Sequence, residues 1–112
     1  MPSLQWELQI KDILEAVNRI GLATANMNFA GFLADTATID AVVKDFSVIA
    51  SAAKHMPESV RKNMPEIPWK EMAGIRDALN QDYFGVDVKT VWRAAKEKIP
   101  TLKPLIANRI NR

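Results

Sequence analysis

The sequence predicts an all-α protein, an antiparallel bundle of four to five main helices. Apolar residues recur in steps of three and four along most of the chain, and no segment alternates with the period of two that a half-buried strand requires. The connectors between the periodic stretches are short, which places successive helices side by side in opposite directions. The length of 112 residues suits one domain spanning 1–112. A content of 48% hydrophobic and 25% charged residues is that of a water-soluble globular protein. A core built from so short a chain is modest, and an apolar stripe left over on a helix is buried most simply against a second copy.

The first helix is expected over Leu4 to Asn26. Trp6, Ile10, Ile13, Val17 and Ile20 fall on one face, while Lys11, Asp12, Glu15, Asn18 and Arg19 fall off it. Asn26-Met27-Asn28 reads as a stop. Phe29 to Ala34 gives one or two helical turns, after which Asp35 or Thr36 can cap the next helix by accepting an orphan backbone N–H. That helix runs to about Met56, with Ile39, Val42, Phe46, Ile49, Ala53 and Met56 on its inner face. Pro57 ends it, because proline has no N–H and its ring clashes with the preceding turn. Pro57-Glu58-Ser59 suits the first turn of a short helix ending near Asn63. Met64-Pro65-Glu66-Ile67-Pro68 is a stiff connector, and Pro68 opens a helix that carries Trp69, Met72, Ile75 and Leu79 and runs to about Phe84. Gly85 ends that helix and Asp87 caps the next, whose stripe is Val88, Val91, Trp92, Ala95 and Ile99. Pro100 and Pro104 should interrupt the chain before a last piece, Leu105 to Ile110.

Composition excludes several classes of function. With no cysteine there is neither a disulfide nor a thiolate metal site, and one histidine cannot make a histidine-rich one, so neither metal nor cofactor is expected. No apolar run reaches the ~20 residues of a membrane span. The N-terminus lacks the charged head and apolar middle of a signal peptide, so the expectation is a cytoplasmic protein. A net charge of +2 is too mild to announce a nucleic-acid binder by itself. The C-terminal third gathers Arg93, Lys96, Lys98, Lys103, Arg109 and Arg112, which fits either a solvated helical face or a patch for phosphate.

Chemistry concentrates between Pro65 and Ile99. Pro65-Glu66-Ile67-Pro68-Trp69, then Ile75-Arg76-Asp77, then Asp82-Tyr83-Phe84-Gly85-Val86-Asp87 and Val91-Trp92 resemble the HepT-like branch of the HEPN ribonuclease toxins. The upstream pieces Asp12-Ile13-Leu14-Glu15-Ala16, Phe32-Leu33-Ala34-Asp35, Asp40-Ala41-Val42-Val43 and Ala52-Ala53-Lys54-His55 agree, so the resemblance covers nearly the whole chain. The family motif is an arginine, then usually a polar residue, a histidine five places after the arginine, any residue, and a tyrosine. Arg76 fills the first position, Asp77 the polar one, and Tyr83 the last. Gln81 stands where the histidine should be. Ser51 stands where the family tends to carry a glutamate, on the helix before Pro57.

The resemblance implies an HEPN-like bundle, a homodimer that pairs its motif helices across a two-fold axis, and metal-independent cleavage of RNA. It also implies a type VII-like toxin–antitoxin system, in which an MNT-type nucleotidyltransferase antitoxin transfers AMP to the motif tyrosine, here Tyr83. RNA cleavage needs a group to take the 2′-hydroxyl proton and a charge to stabilise the phosphorane-like transition state. Histidine suits the first task, because its pKa lies near neutrality, and arginine the second, because its planar fork stays charged and grips phosphate oxygens. Gln81 forms hydrogen bonds but cannot shuttle a proton near neutral pH. General acid–base catalysis contributes ~10²–10⁴-fold, so its loss points to a binding cleft with weak or no cleavage. His55 sits before Met56-Pro57 at a helix end, where a histidine serves as a cap.

On a regular helix, at ~100° per residue, Arg76, Asn80 and Tyr83 share one face while Gln81 lies well round from Arg76. The plainer alternatives are that Arg76 and Asp77 are surface charges of an amphipathic helix, that Tyr83 and Phe84 pack a helix end, and that Trp69 and Trp92 are core anchors and not base-stacking platforms. Three functions therefore stand open: a ribonuclease toxin, a non-catalytic module that binds the nucleotidyltransferase or nucleotide, and a structural helical protein.

Overall fold

A computed structural model describes residues 2–80 and 85–110, with side chains from Trp6 to Asn80 and from Gly85 to Arg109. The helices are α1 (Pro2–Thr24), α2 (Phe29–Leu33), α3 (Thr36–Lys54), α4 (Glu58–Asn63), α5 (Trp69–Ala73), α6 (Val88–Arg93) and α7 (Ile99–Ile110). A 3₁₀ turn covers Asp77–Leu79, and a π-helical stretch, Ala94–Lys98, joins α6 to α7. The described residues contain no named strand, in keeping with the all-α expectation.

The apolar stripes read from the sequence form the core. Ile10, Ile13, Val17 and Ile20 of α1 meet Val42, Phe46 and Ile49 of α3, all at most 2% exposed. The two helices run antiparallel. Gln9 and Asp12, early in α1, share a groove with Ser51 and His55, late in α3, whereas Arg19, late in α1, donates from Nε to Asp45 Oδ1 of α3 at 2.9 Å. On its other side α1 packs against α7, whose Leu102 and Ile106 are buried.

Side-chain caps start three helices. Asn28 Oδ1 accepts from Gly31 N at 2.8 Å, Asp35 Oδ1 from Thr38 N at 3.0 Å, and Asp87 Oδ1 from Lys89 N at 3.1 Å. The backbone N–H and hydroxyl of Thr38, both donating to Asp35, hold its carboxyl below the ordinary aspartate value of 3.8. A depressed carboxyl contributes stability at pH above its unfolded value and loses it as pH falls through the lower folded value. Thermal melts should therefore show a larger loss for the natural chain than for Asp35→Asn between about pH 6 and about pH 3, since asparagine caps without titrating. Equal losses would remove Asp35 from the acid response.

Two expectations about the later helices are corrected. The helix opened by Pro68 does not reach Phe84. It ends at Ala73, and Gly74 follows with φ −96° and ψ 2°. Glycine gives up the most backbone entropy in a helix, and Asn80 adopts extended geometry (φ −75°, ψ 146°), pairing with Val86 in an isolated antiparallel bridge. Pro100 and Pro104, conversely, do not interrupt the last helix, which is continuous from Ile99 to Ile110. Pro100 lies in its first turn, directly after the π-helical stretch. The carbonyl that its ring would crowd belongs to Lys96, inside the wider π turn. Pro104 is interior, at a cost of ~3 kcal/mol, which burial of Leu102 and Ile106 against α1 offsets.

The tryptophans are anchors. Trp69 is 7% exposed and its indole N–H donates to the Met64 carbonyl at 3.1 Å, pinning α5 to the end of α4. Trp92 of α6 packs on Phe32 of α2 (ring centroids 5.1 Å apart), and the Lys96 ammonium lies 5.3 Å from its ring centre.

Candidate functional site

The motif begins where α5 ends. Buried Ile75 (3% exposed) and Leu79 (1% exposed) fasten the short segment that carries Arg76 and Asp77 to the core. Ala78 N donates to the Gly74 carbonyl at 3.1 Å and Leu79 N to the Arg76 carbonyl at 3.2 Å, so Arg76 sits in a tight turn and not on a continuing helix. Arg76 is half-buried, and its Nη1 donates to Asn80 Oδ1 at 2.8 Å. The four-residue spacing thus brings Arg76 and Asn80 together as expected, through a turn that the helical reading did not contain. Its other guanidinium N–H groups have no protein partner among the described residues, and a planar fork of this kind matches the geometry of an oxyanion.

Asp77 is exposed at the start of the 3₁₀ turn and its carbonyl accepts from Asn80 N at 3.2 Å. Beyond Asn80 the chain returns at Gly85, whose φ of +90° only glycine adopts without strain. The return is fixed by Asp87 N donating to the Leu79 carbonyl at 2.8 Å and by the Asn80–Val86 bridge. Gln81 and Tyr83 lie outside the described residues, between two ends that this pairing holds together.

Ser51 and His55 line a groove of about 400 Å³ between α1 and α3, with Gln9, Asp12, Lys44 and Ser47 beside them. Arg76 does not line this groove. His55 Nδ1 pairs with the Ser51 carbonyl at 2.7 Å at the C-terminus of α3, the capping role its position suggested. The Oε1 atom of Gln9 is buried with no hydrogen-bond partner. The sequence reading passed over Gln9 and Asn80 as site residues. Only the i, i+4 spacing from Arg76 signalled Asn80.

Three cations of the basic C-terminal third, Lys96, Lys98 and Arg109, are tied to other groups of the chain. Arg109 forks onto Glu66, with Nε 3.1 Å from Oε1 and Nη2 2.9 Å from Oε2. Lys98 pairs with Glu71 at 3.2 Å, and Lys96 Nζ donates to the Thr24 carbonyl at 3.1 Å. These ties reduce the case for a broad cationic patch, and a guanidinium such as that of Arg76 has the planar fork that matches a phosphate. Among the described residues no cluster of three or more His, Asp or Glu could hold a metal ion. No helix among them is long and apolar enough to cross a membrane.

Comparison with known proteins agrees with the motif. Residues 13–108 match the family described as Ribonuclease HepT-like. A protein of Thermococcus cleftensis named probable ribonuclease HepT is 44% identical over 94 residues, which cover 84% of this chain and 86% of that protein. Two proteins of Methanocaldococcus jannaschii whose names carry an RNase assignment are 43% and 40% identical, each over 103 residues. Those alignments cover 92% of this chain and 85% and 89% of the relatives. No solved structure matches the chain. A match over most of its length, with a guanidinium presented at the motif arginine, places this chain in the HepT-like ribonuclease family.

Proposed function

We propose that the chain is the toxin subunit of a two-component toxin–antitoxin system and acts on RNA through Arg76. The observation that supports this reading is the Arg76 guanidinium, held by Asn80 and with no other hydrogen-bond or ion-pair partner among the described residues. In the cleavage step solvent water takes the 2′-hydroxyl proton, since Gln81 cannot, the 2′-oxygen attacks the adjacent phosphorus, and the 5′-oxygen leaves with a proton from water. Arg76 stabilises the charge that develops on the phosphoryl oxygens. Two copies of the chain, paired across a two-fold axis, supply a composite cleft in this reading. Asp77, exposed beside Arg76, is a further polar contact there.

Control lies with a partner nucleotidyltransferase of the MNT type. AMP transferred from ATP to the Tyr83 phenol forms a phosphodiester and releases pyrophosphate. The added anion pairs with Arg76 and repels an RNA backbone. Mass spectrometry after incubation with ATP and the neighbouring gene's product should find one AMP-sized addition on Tyr83. An unchanged Tyr83 peptide counts against this control.

Gln81 favours a second reading, a module that keeps the cleft and the antitoxin-facing surface but cuts RNA poorly or not at all. Growth after overexpression separates the two. Arrest by the natural chain, relieved by Arg76→Ala, supports the nuclease. A harmless natural chain supports the module.

A further inference from the structure

A groove of about 710 Å³ lies between the C-terminal half of α1 and the start of α7. It is apolar and cationic at once. Val17, Leu22, Ile99 and Pro100 give it hydrophobic walls, Lys96 and Lys103 stand at its edge, and no carboxylate lines it. Lys96 is engaged with the Thr24 carbonyl and the Trp92 ring, whereas Lys103 is exposed with no hydrogen-bond or ion-pair partner among the described residues. Three further features are unexplained by the chain's own packing. Leu22 is 80% exposed. Asn18 Oδ1 is buried in the groove wall with no hydrogen-bond donor. Gly21 occupies a helix interior, where glycine is disfavoured, yet a Cβ placed there would meet nothing within 4 Å. A bare backbone beside an exposed leucine permits close approach by something outside the chain.

We infer that this groove is a docking surface for a protein partner that presents an amphipathic helix bearing carboxylates. The apolar face of such a helix lies over Gly21 between Leu22 and Pro100, and its acidic residues meet Lys103. Charge complementarity selects the acidic partner. RNA fits less well, because no aromatic ring lines the groove to stack a base and the Trp92 face is already covered by Lys96 and Phe32. The inference is independent of the Arg76 site, since Arg76 and Asp77 do not line this groove.

The test is an amide NMR titration of the full chain with a synthetic helical peptide that carries leucines on one face and glutamates flanking them, alongside the same peptide with lysines for glutamates. The acidic peptide should shift the amides of Gly21, Leu22, Ala25 and Lys103, and the lysine peptide should not. Gly21→Phe, which fills the groove from a position with open space and should leave the helical circular dichroism unchanged, should abolish the shifts. Lys103→Glu should weaken binding about tenfold. Shifts confined to other surfaces, binding unaffected by Gly21→Phe, or equal binding of both peptides would overturn the proposal. So would a single-stranded RNA that shifts the same amides while the acidic peptide does not. A self-associated state in light scattering that Gly21→Phe dissociates would reassign the groove to a second copy of this chain and likewise overturn it.

Discussion

Gln81→His should raise the rate of RNA cleavage by ~10²–10⁴-fold over the natural chain, the usual contribution of a positioned general base. The reasoning is chemical. An amide side chain neither accepts nor releases a proton near neutral pH, whereas an imidazole with a pKa near ~6.5 does both. In the proposed function Arg76 stabilises the charge that proton removal generates, so the substitution should add the missing half of an acid–base and electrostatic pair. The rate of the variant should rise with pH through ~6.5 as the imidazole becomes neutral, a profile the natural chain should lack. Adding Arg76→Ala should erase most of the gain, because the two groups serve one transition state. The measurement is single-turnover cleavage of an end-labelled RNA across that pH range. No acceleration would mean that position 81 does not face the scissile phosphate.

The second large effect is on folding. Phe32→Ala should destabilise the protein by ~3–5 kcal/mol, the range for deleting a buried aromatic side chain. Phe32 is fully buried and packs its ring on Trp92, joining α2 to α6. For a chain of this size that is a large part of a total stability of ~5–15 kcal/mol, and it should lower the melting temperature by more than ~10 °C. The loss should reach the site. Helix α6 is the element that Asp87 caps, and the Asp87 N–H holds the return of the motif segment to the Leu79 carbonyl. Weaker docking of α6 therefore loosens the pairing between Asn80 and Val86 before the bundle itself unfolds. Hydrogen exchange should accordingly show faster exchange at Asp87 than at the α1 and α3 core amides, and Phe32→Leu, which keeps most of the volume, should restore protection.

The two predictions act on different parts of the molecule, and the contrast shows what evolution can change independently. The Gln81→His prediction concerns proton transfer, and its readout is the rate of cleavage. Phe32 contributes nothing to chemistry, yet the geometry near Arg76 depends on it through Trp92 and α6. This HepT-like chain lacks the motif histidine and keeps the helical fold and the motif arginine.

Much of this was determined by the sequence alone. The three-and-four spacing of Ile10, Ile13, Val17 and Ile20 and of Val42, Phe46 and Ile49 specified two amphipathic helices, because burial of one face is a property of local periodicity. Asp35 and Asp87 were legible as caps for the same local reason, and Arg76, Asp77, Gln81 and Tyr83 as a motif with one chemical departure. Tertiary structure alone decided where α5 stops and α7 continues. Asn80 leaves helical geometry to pair with Val86, and a helix persists through Pro100 and Pro104 because a π turn and burial against α1 offset what the prolines lose. Neither outcome follows from helix propensity alone, since in the first case the pairing of Asn80 with Val86 and in the second the packing of α7 on α1 outweighs it.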